Sequence, residues 1–371
     1  MRKRIGLIFG GRSSEHEVSI TSARSVLKAI DAARYDVELI CITPDGRWVT
    51  GAQAHNLLEG KPAPPTDNVI LPHYPGENRL VALDIDGGRE CARRLVKLDV
   101  VFPLLHGTFG EDGTIQGLFE LAGIPYVGAG VAASAAGMDK VIMKDIFRAN
   151  ELPVTKYIHF LRKEWISDPG SVSERVFGDL GFPVFVKPAN TGSSVGITKV
   201  YNKNELSAAL DCASEFDRKI IVERGVDARE LECSVLGNDD AAASVVGEII
   251  PAREFYDYEA KYIDEGSKLI IPAEITEDQS IQVRDFAVKA FKALDCAGMA
   301  RADFLLERTT GEIIINEINT IPGFTPISMY PKLWEASGIT YGELIDRLIE
   351  LAFERHADMQ NRCTTYKVKK T

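Results

Sequence analysis

Cysteine is sparse and never paired in this sequence: Cys41, Cys91, Cys212, Cys233, Cys296 and Cys363 stand far apart, with no C-x-x-C among them. That spacing offers neither zinc ligands nor a dense disulfide frame, and reduced thiols are the simplest expectation. Long apolar runs are lacking too. Behind the basic opening residues only Ile5 to Phe9 is apolar, too short for a signal core, and nothing approaches the ~18 residues of a membrane helix. Positive charge is in deficit: 43 Lys plus Arg against 54 Asp plus Glu leave a net charge of -11. Broad attraction to nucleic acid or anionic membrane is thereby excluded, though not a local basic pocket. A soluble, cytoplasmic protein with no nucleic-acid or membrane partner is expected. There is no internal repeat, no G-x-G-x-x-G and no G-x-x-x-x-G-K-[ST]. What remains is a chain of 371 residues, 45% hydrophobic and 26% charged. That is globular composition, enough for two or three domains at roughly 100–200 residues each.

Ile5 to Phe9 reads as a buried strand, Gly10-Gly11 as a turn, and Ala23, Val26, Leu27 and Ile30 as the apolar face of a helix. Further strands over Val37 to Ile42 and Asp99 to Leu104 make the first part an open parallel α/β sheet. The stretch from Gly51 to Pro75, rich in turn residues, is expected outside the sheet as a surface excursion. Small residues from Ala132 lead into one helix ending near Asn150, where Pro153 stops it. The organisation expected is an N-terminal α/β domain over 1–130, a central α+β unit over 131–223 and a C-terminal unit over 224–371. The central unit carries strands at Tyr157 to Phe160, Val184 to Lys187, Val195 to Val200 and Ile220 to Glu223. In the last, strands over Leu231 to Leu236 and Ser244 to Ile250 precede a polar, aromatic loop at about 251–267 and a helix over Glu277 to Leu294. The strands Met299 to Leu306 and Glu312 to Ile318 then form a hairpin, and an amphipathic helix follows through Leu344, Ile345, Leu348, Ile349 and Ala352.

Three loops carry candidate chemistry. In GGRSSEHEVS, Ser14 and Glu17 fit a capping box, while the Gly10-Gly11 pair lies at the C-terminal end of the first strand, where open α/β sheets bind ligands, and Glu15 would face that crevice. Within LLHGTFGEDGTIQG, the stretch Leu105 to Thr114 packs His106, two acids and three glycines into a short post-strand loop. In VFVKPANTGSSVGITKV a strand delivers Lys187 to a Gly/Ser turn whose N–H groups and hydroxyls suit a polyphosphate; a plain hairpin with a surface lysine explains that loop alone equally well. Two strands supply the counterpart. A period of two puts Arg301 with Asp303, and Glu317 with Asn319, on one face each, and an odd hairpin loop or a bulge turns Asp303 and Glu317 the same way. Oxygens converging beside an arginine suit Mg²⁺ bridged to phosphates, and Ile313 and Ile315 on the carboxylate face imply burial.

Taken in order, these segments, with GMDKVIMK, VERGVDARELECSVLGN, AKY, ARADF and INEINTIPGFTPISMYP, resemble the D-alanine:D-alanine ligases of the ATP-grasp superfamily over nearly the whole chain. The resemblance implies an ATP-grasp fold preceded by an open parallel α/β (pre-ATP-grasp) domain. It implies that Lys140 and Lys187 contact the α and β phosphates of ATP, under a loop of Ser193, Ser194, Val195 and Gly196. Glu223 and Val226 would read adenine, Glu230 the ribose, and Lys261 the γ-phosphate. Asp303, Glu317 and Asn319 would bind Mg²⁺ or Mn²⁺, commonly two ions. Glu15, Ser193 and Tyr262 would form a network at the D-alanine end, with His106 beside the first D-alanine. Arg301 and the Gly323 N–H would receive the oxyanion, and Ser328 and Met329 the acceptor's carboxylate. A homodimer is implied as well.

The implied chemistry needs those residue types. A carboxylate is a poor electrophile, so the γ-phosphate passes to D-alanine first, and a second D-alanine attacks the acyl phosphate through its amine, giving D-alanyl-D-alanine for peptidoglycan precursors. The 251–267 loop is expected to act as a lid against hydrolysis. Tyr262 is the residue type of dipeptide-forming members, whereas D-alanyl-D-lactate-forming relatives differ there. The rivals are a ligase of other amino-acid pairs, a non-catalytic nucleotide-binding regulator, and a Rossmann oxidoreductase. The last fails on the missing third glycine, and the regulator is disfavoured by the intact lysines, carboxylates and Arg301.

Overall fold

The computed structural model describes residues 2–62, 68–86, 89–251, 268–325 and 327–363. It opens with β1 (Lys3–Gly10), α1 (His16–Ala29), β2 (Tyr35–Ile42), β3 (Trp48–Thr50), α2 (Gly51–Leu58), β4 (Asn68–Ile70), β5 (Arg79–Asp86), β6 (Arg89–Lys97), β7 (Val100–Pro103) and α3 (Thr114–Ala122). β1 pairs in parallel with β2 and β7, giving the order β3-β2-β1-β7 with β3 antiparallel at one edge. The run Ile5 to Phe9 lies in the middle of this sheet, and Ile5, Leu7, Ile8 and Phe9 are all fully buried, as a strand covered on both faces demands. The 51–75 stretch is not wholly the surface excursion its composition suggests. Ala54 and Leu58, four apart on α2, drop into the core, and β4 joins β5 and β6 in a small antiparallel sheet, β4-β5-β6. The glycines at either end of α2 mask a helical face too short to show as periodicity.

Next come α4 (Val131–Met138), α5 (Lys140–Ala149), β8 (Tyr157–Leu161), α6 (Arg162–Ser167), α7 (Pro169–Leu180), β9 (Val184–Pro188), β10 (Thr198–Val200), α8 (Lys203–Phe216) and β11 (Lys219–Arg224). The single helix expected up to Asn150 is two. Asp139 leaves the helical conformation and caps α5, its carboxylate accepting from the N–H groups of Val141 (3.1 Å) and Ile142 (3.2 Å). β10-β9-β11-β8 form an antiparallel sheet, its core closed by Val176 and Leu180 of α7 and Leu206 and Leu210 of α8.

The chain then builds β12 (Ala228–Gly237), β13 (Ala242–Ile250), β14 (Lys268–Ile270), α9 (Glu277–Ala293), β15 (Gly298–Glu307), β16 (Ile313–Asn319), α10 (Met329–Ala336) and α11 (Tyr341–Gln360). The sheet runs β14-β13-β12-β15-β16, antiparallel throughout. Ala300, Ala302, Phe304 and Leu306 of β15 pack beneath it with Val283, Ala287 and Phe291 of α9. α11 returns to the first sheet: Leu344, Ile345, Leu348 and Ile349 share one core with Leu7, Phe9 and Phe102. No helix among the described residues is long and apolar enough to cross a membrane.

Candidate active site

A cavity of about 690 Å³ opens where the loops after β1 and β7, the 191–197 loop and the open face of the third sheet converge. Of the residues singled out in the sequence, it is lined by Glu15, His106, Lys140, Ser193, Ser194, Arg301, Glu317, Asn319, Gly323, Ser328 and Met329.

At one end lie the lysines. The first turn of α5 presents Lys140, whose ammonium donates to the Thr191 carbonyl (2.6 Å) and so reaches the Gly/Ser loop. Lys187 on β9 and Glu223 on β11 lie diagonally across neighbouring strands and form a buried pair (2.8 Å). Lys144, one turn beyond Lys140 on α5, reaches the other oxygen of Glu223 (3.3 Å) and donates to the Asn316 carbonyl (2.9 Å). Burial by itself would raise Glu223, but the two lysines outweigh it and hold the carboxyl down at about 2. Burial lowers Lys144, with Glu223 pulling it partly back; at Lys187 the pull of Glu223 overcomes burial and the pKa rises. Glu230 adds to the negative field around Lys187. Lys187, Glu223, Val226, Glu230 and Asp303 stand outside the cavity lining, so the residues singled out in the sequence divide between the cavity and its surroundings.

In the middle lies the acid pair. β15 and β16 pair Arg301 with Asn319 and Asp303 with Glu317, and the register then slips by one residue, so that Phe304 faces Ile315. This bulge leaves Asn316 as the extra residue and sets Asp303 and Glu317 side by side. It also corrects one expectation: Ile313 and Ile315 do not share the carboxylate face but lie with Ile318 in the core against α9. Arg301 grips Asp303 at both oxygens (2.7 Å each), with Glu232, which faces Asp303 from β12, at 3.0 Å from its Nε. Burial would lower the guanidinium pKa, but Asp303 and Glu232 more than offset it, and the group stays charged. Asn319 donates to Asp303 (3.0 Å). Among the described residues no three His, Cys, Asp or Glu side chains gather round one point. The set is two carboxylates and an amide, hard oxygen donors that fit Mg²⁺ when phosphate oxygens supply further ligands.

Glu15 lines the cavity beside the Gly/Ser loop. The expected capping box on Ser14 and Glu17 is not formed: Glu15 itself is the N-cap residue of α1, with no side-chain cap, and its carboxylate instead accepts a hydrogen bond from Ser193. Gly107 and Gly192 make room for it, since a Cβ at either would meet Glu15 Oε2 at 2.5 Å and 2.9 Å. His106 is buried, with Ser22 Oγ at 3.0 Å from Nε2 and the Ile321 carbonyl at 3.0 Å from Nδ1. Burial lowers its pKa against the opposing charge of Glu15, so the ring is neutral, with its proton on Nδ1 facing the carbonyl. Both nitrogens are thus engaged by protein. Glu111 lines the same cavity, where burial first and Glu15 second raise its carboxyl to about 8. Ser328 Oγ accepts from the Thr325 N–H (3.0 Å) and stands where a Cβ on Gly323 would come within 2.8 Å. Met329, buried, begins α10. Lys261, Tyr262 and the 251–267 loop lie outside the described residues. Sequence reasoning gave no role to Glu111, Lys144 or Glu232, although each stands inside a motif that it singled out.

The arrangement is that of an ATP-grasp ligase: two sheets around a nucleotide-sized cleft, with an α/β domain closing the other end. Residues 4–129 match the family model for the D-ala D-ala ligase N-terminus and residues 146–350 that for the D-ala D-ala ligase C-terminus. The D-alanine--D-alanine ligase of Acetivibrio thermocellus is 52% identical over 370 residues, covering 96% of this chain and 97% of the relative. That of Heliobacterium modesticaldum is 50% identical, covering 98% of each. Among solved structures, the D-alanine-D-alanine ligase from Coxiella burnetii superposes with a TM-score of 0.82 at 36% identity, over 97% of this chain and 96% of the other. The VanG D-Ala:D-Ser ligase from Enterococcus faecalis gives 0.84, also at 36% identity, over 95% and 100%. The chain belongs to the D-alanine–D-alanine ligase family.

Proposed function

We propose that this protein joins two D-alanine molecules into D-alanyl-D-alanine at the expense of ATP, through a D-alanyl phosphate, as a cytoplasmic and homodimeric enzyme of peptidoglycan precursor synthesis. The observation that carries the reading is one cavity lined together by Lys140, the Gly/Ser loop with Ser193 on Glu15, Arg301, Glu317, Asn319 and Ser328. Lys140 and Lys187 bind the α and β phosphates, Glu223 and Val226 the adenine, Glu230 the ribose and Lys261 the γ-phosphate. Ser194 covers the phosphates from the loop. Asp303, Glu317 and Asn319 hold Mg²⁺ or Mn²⁺, two ions in the family's pattern, which supplies charge neutralisation between the phosphates when bound.

Glu15, tied to Ser193 and with Tyr262 completing the network, holds the first D-alanine's ammonium near the loop that covers the phosphates, which aims its carboxylate at the γ-phosphate. His106, neutral and held on both sides, supports that end rather than moving a proton. The second D-alanine docks its carboxylate at Ser328 and the N-terminal turn of α10 near Met329, where unpaired N–H groups favour an anion. Its amine attacks the acyl carbon, the carbonyl electrons pass to oxygen, and Arg301 with the Gly323 N–H receives that charge before phosphate leaves.

The test is phosphate release with ATP, Mg²⁺ and D-alanine, with product masses. A dipeptide mass is expected; release only with another amino-acid pair would keep the cleft and overturn the substrate, and ATP binding without turnover would favour the regulator. A D-Ala:D-Ser ligase shares the fold, so the acceptor is set by local residues. Tyr262→Phe is expected to raise D-alanyl-D-lactate formation, and an unchanged partition between D-alanine and D-lactate counts against its role.

A further inference from the structure

The loop after β7 reaches across the molecule to the two peptide groups that flank one residue, Ile321. The Ile321 N–H donates to Glu111 Oε1 (3.2 Å), and the Ile321 carbonyl meets Nδ1 of His106 (3.0 Å), so residue 321 is held at both its donor and its acceptor. The other Glu111 oxygen takes the Gly107 N–H (2.7 Å), which anchors the carboxyl to its own loop. Beyond Ile321 the chain has little freedom before the Gly323 N–H. The carbonyl of Ile321 is fixed by His106, and the ring of Pro322 locks φ near -65°, leaving the ψ of Pro322 as the one soft dihedral between them.

We propose that Glu111 is a positioning residue for the second half of the reaction, fixing the Ile321 peptide and, through Pro322, the direction of the Gly323 N–H that receives the oxyanion. The inference rests on the ligase reading above. It predicts a division between the two half-reactions. Transfer of the γ-phosphate onto the first D-alanine creates no oxyanion on carbon, so it does not call on Gly323; attack by the second amine does. Glutamine in place of Glu111 is nearly isosteric, and its one carbonyl oxygen keeps the shorter bond to the Gly107 N–H (2.7 Å against 3.2 Å), so its NH₂ group, which has no lone pair to offer, is set against the Ile321 N–H, whereas a carboxyl oxygen accepts in either protonation state.

The full-length Glu111→Gln protein is compared with wild type in two assays. Acyl phosphate formed from ATP and D-alanine is trapped with hydroxylamine as the hydroxamate, and dipeptide is measured at saturating ATP. Hydroxamate formation and the KM for ATP are expected within about twofold of wild type, while dipeptide kcat falls ~10- to 100-fold, short of the loss when an oxyanion donor is removed outright. Dipeptide formation within about twofold of wild type overturns the proposal, and so does an equal fall of both assays together with the melting temperature, which marks a merely structural role. Should the glutamine variant not fold, Glu111→Asp, which keeps a carboxyl but not the reach to both N–H groups, is read by the same two assays. Wild-type protein yielding no hydroxamate would instead sink the ligase reading itself.

Discussion

Glu223 makes the residue-scale argument sharpest, because it is ionised inside the protein only by virtue of Lys187 and Lys144. Replacing one partner of a buried charge cluster costs ~3–5 kcal/mol, since the remaining charges lose their compensation. Glu223→Gln is therefore expected to lower stability at neutral pH by about that amount, read from the urea midpoint. The acid limb follows from the same pairing. The carboxyl titrates near 4.5 in the unfolded chain and near 2 in the folded one, so its contribution is complete above about 4.5 and is lost as pH falls from there toward 2. Between pH 5 and pH 3 the glutamine variant should thus lose less stability than wild type. A neutral-pH midpoint shift worth less than ~1 kcal/mol would show that the lysines are satisfied without Glu223. ATP affinity should fall as well, since Lys187 would no longer be fixed on β9.

At the scale of elements, the 191–197 loop is shaped around Glu15. Gly192 has no positive φ, so alanine there meets no backbone strain; what its Cβ meets is the end of the Glu15 side chain, 2.9 Å away. A carboxylate tip can swing aside at little cost to the fold. Gly192→Ala is thus expected to change stability by under ~1 kcal/mol while cutting dipeptide formation at least tenfold, because Glu15 leaves Ser193. Loss of activity that tracked a loss of stability, or no loss at all, would contradict this. The same loop shows what sequence can and cannot give. The lysine, the glycines and the serines stood out because a polyphosphate site would need those types locally, although a plain hairpin explained the loop alone as well, and the hairpin of β15 and β16 was legible from period and turn. The bulge was foreseen only as one of two ways to align Asp303 with Glu317, and the face taken by Ile313 and Ile315 came out reversed, because one extra residue exchanges the two faces of a strand. Glu111 was legible only as one of two acids in its loop and Lys144 only as part of a motif, since the partners lie 210 and 172 residues away and only the fold brings them together. The capping-box pattern at Ser14 did not set the start of α1: Glu15 is the N-cap residue, and its carboxylate takes a distant partner, Ser193. α10 went unread because its residues served only as a site motif.

For the whole molecule, the ends of the chain are one body. Leu348 of α11 is fully buried against a core that includes Leu7, Phe9 and Phe102 of the first sheet and Phe324 and Tyr330, which flank the cavity-lining residues Thr325 and Met329. Tyr341 at the start of α11 donates to the Phe324 carbonyl (2.7 Å), and Arg34 before β2 pairs with Glu350 (2.9 Å). The first sheet therefore cannot lose its packing without exposing the C-terminal helix, and the loop holding Gly323 and Ser328 is supported from beneath by the same cluster. Leu348→Ala removes side-chain volume from that shared core and should cost ~2–5 kcal/mol. Because the core belongs to both ends, calorimetry should show the main transition moving down as a unit, by ~2–4 °C per kcal/mol or less for a chain of this length, with no low-temperature shoulder from a separately melting N-terminal sheet. Saturating ATP binds chiefly at the other end of the cavity, yet should raise that same transition, by ~2.7 kcal/mol at a hundred times its Kd. Two resolved transitions, of which the substitution moves one and ATP the other, would mean that the first sheet and the nucleotide cleft fold as separate units; a single transition answering to both means that the acceptor's end of the site is held in register by the helix that closes the chain.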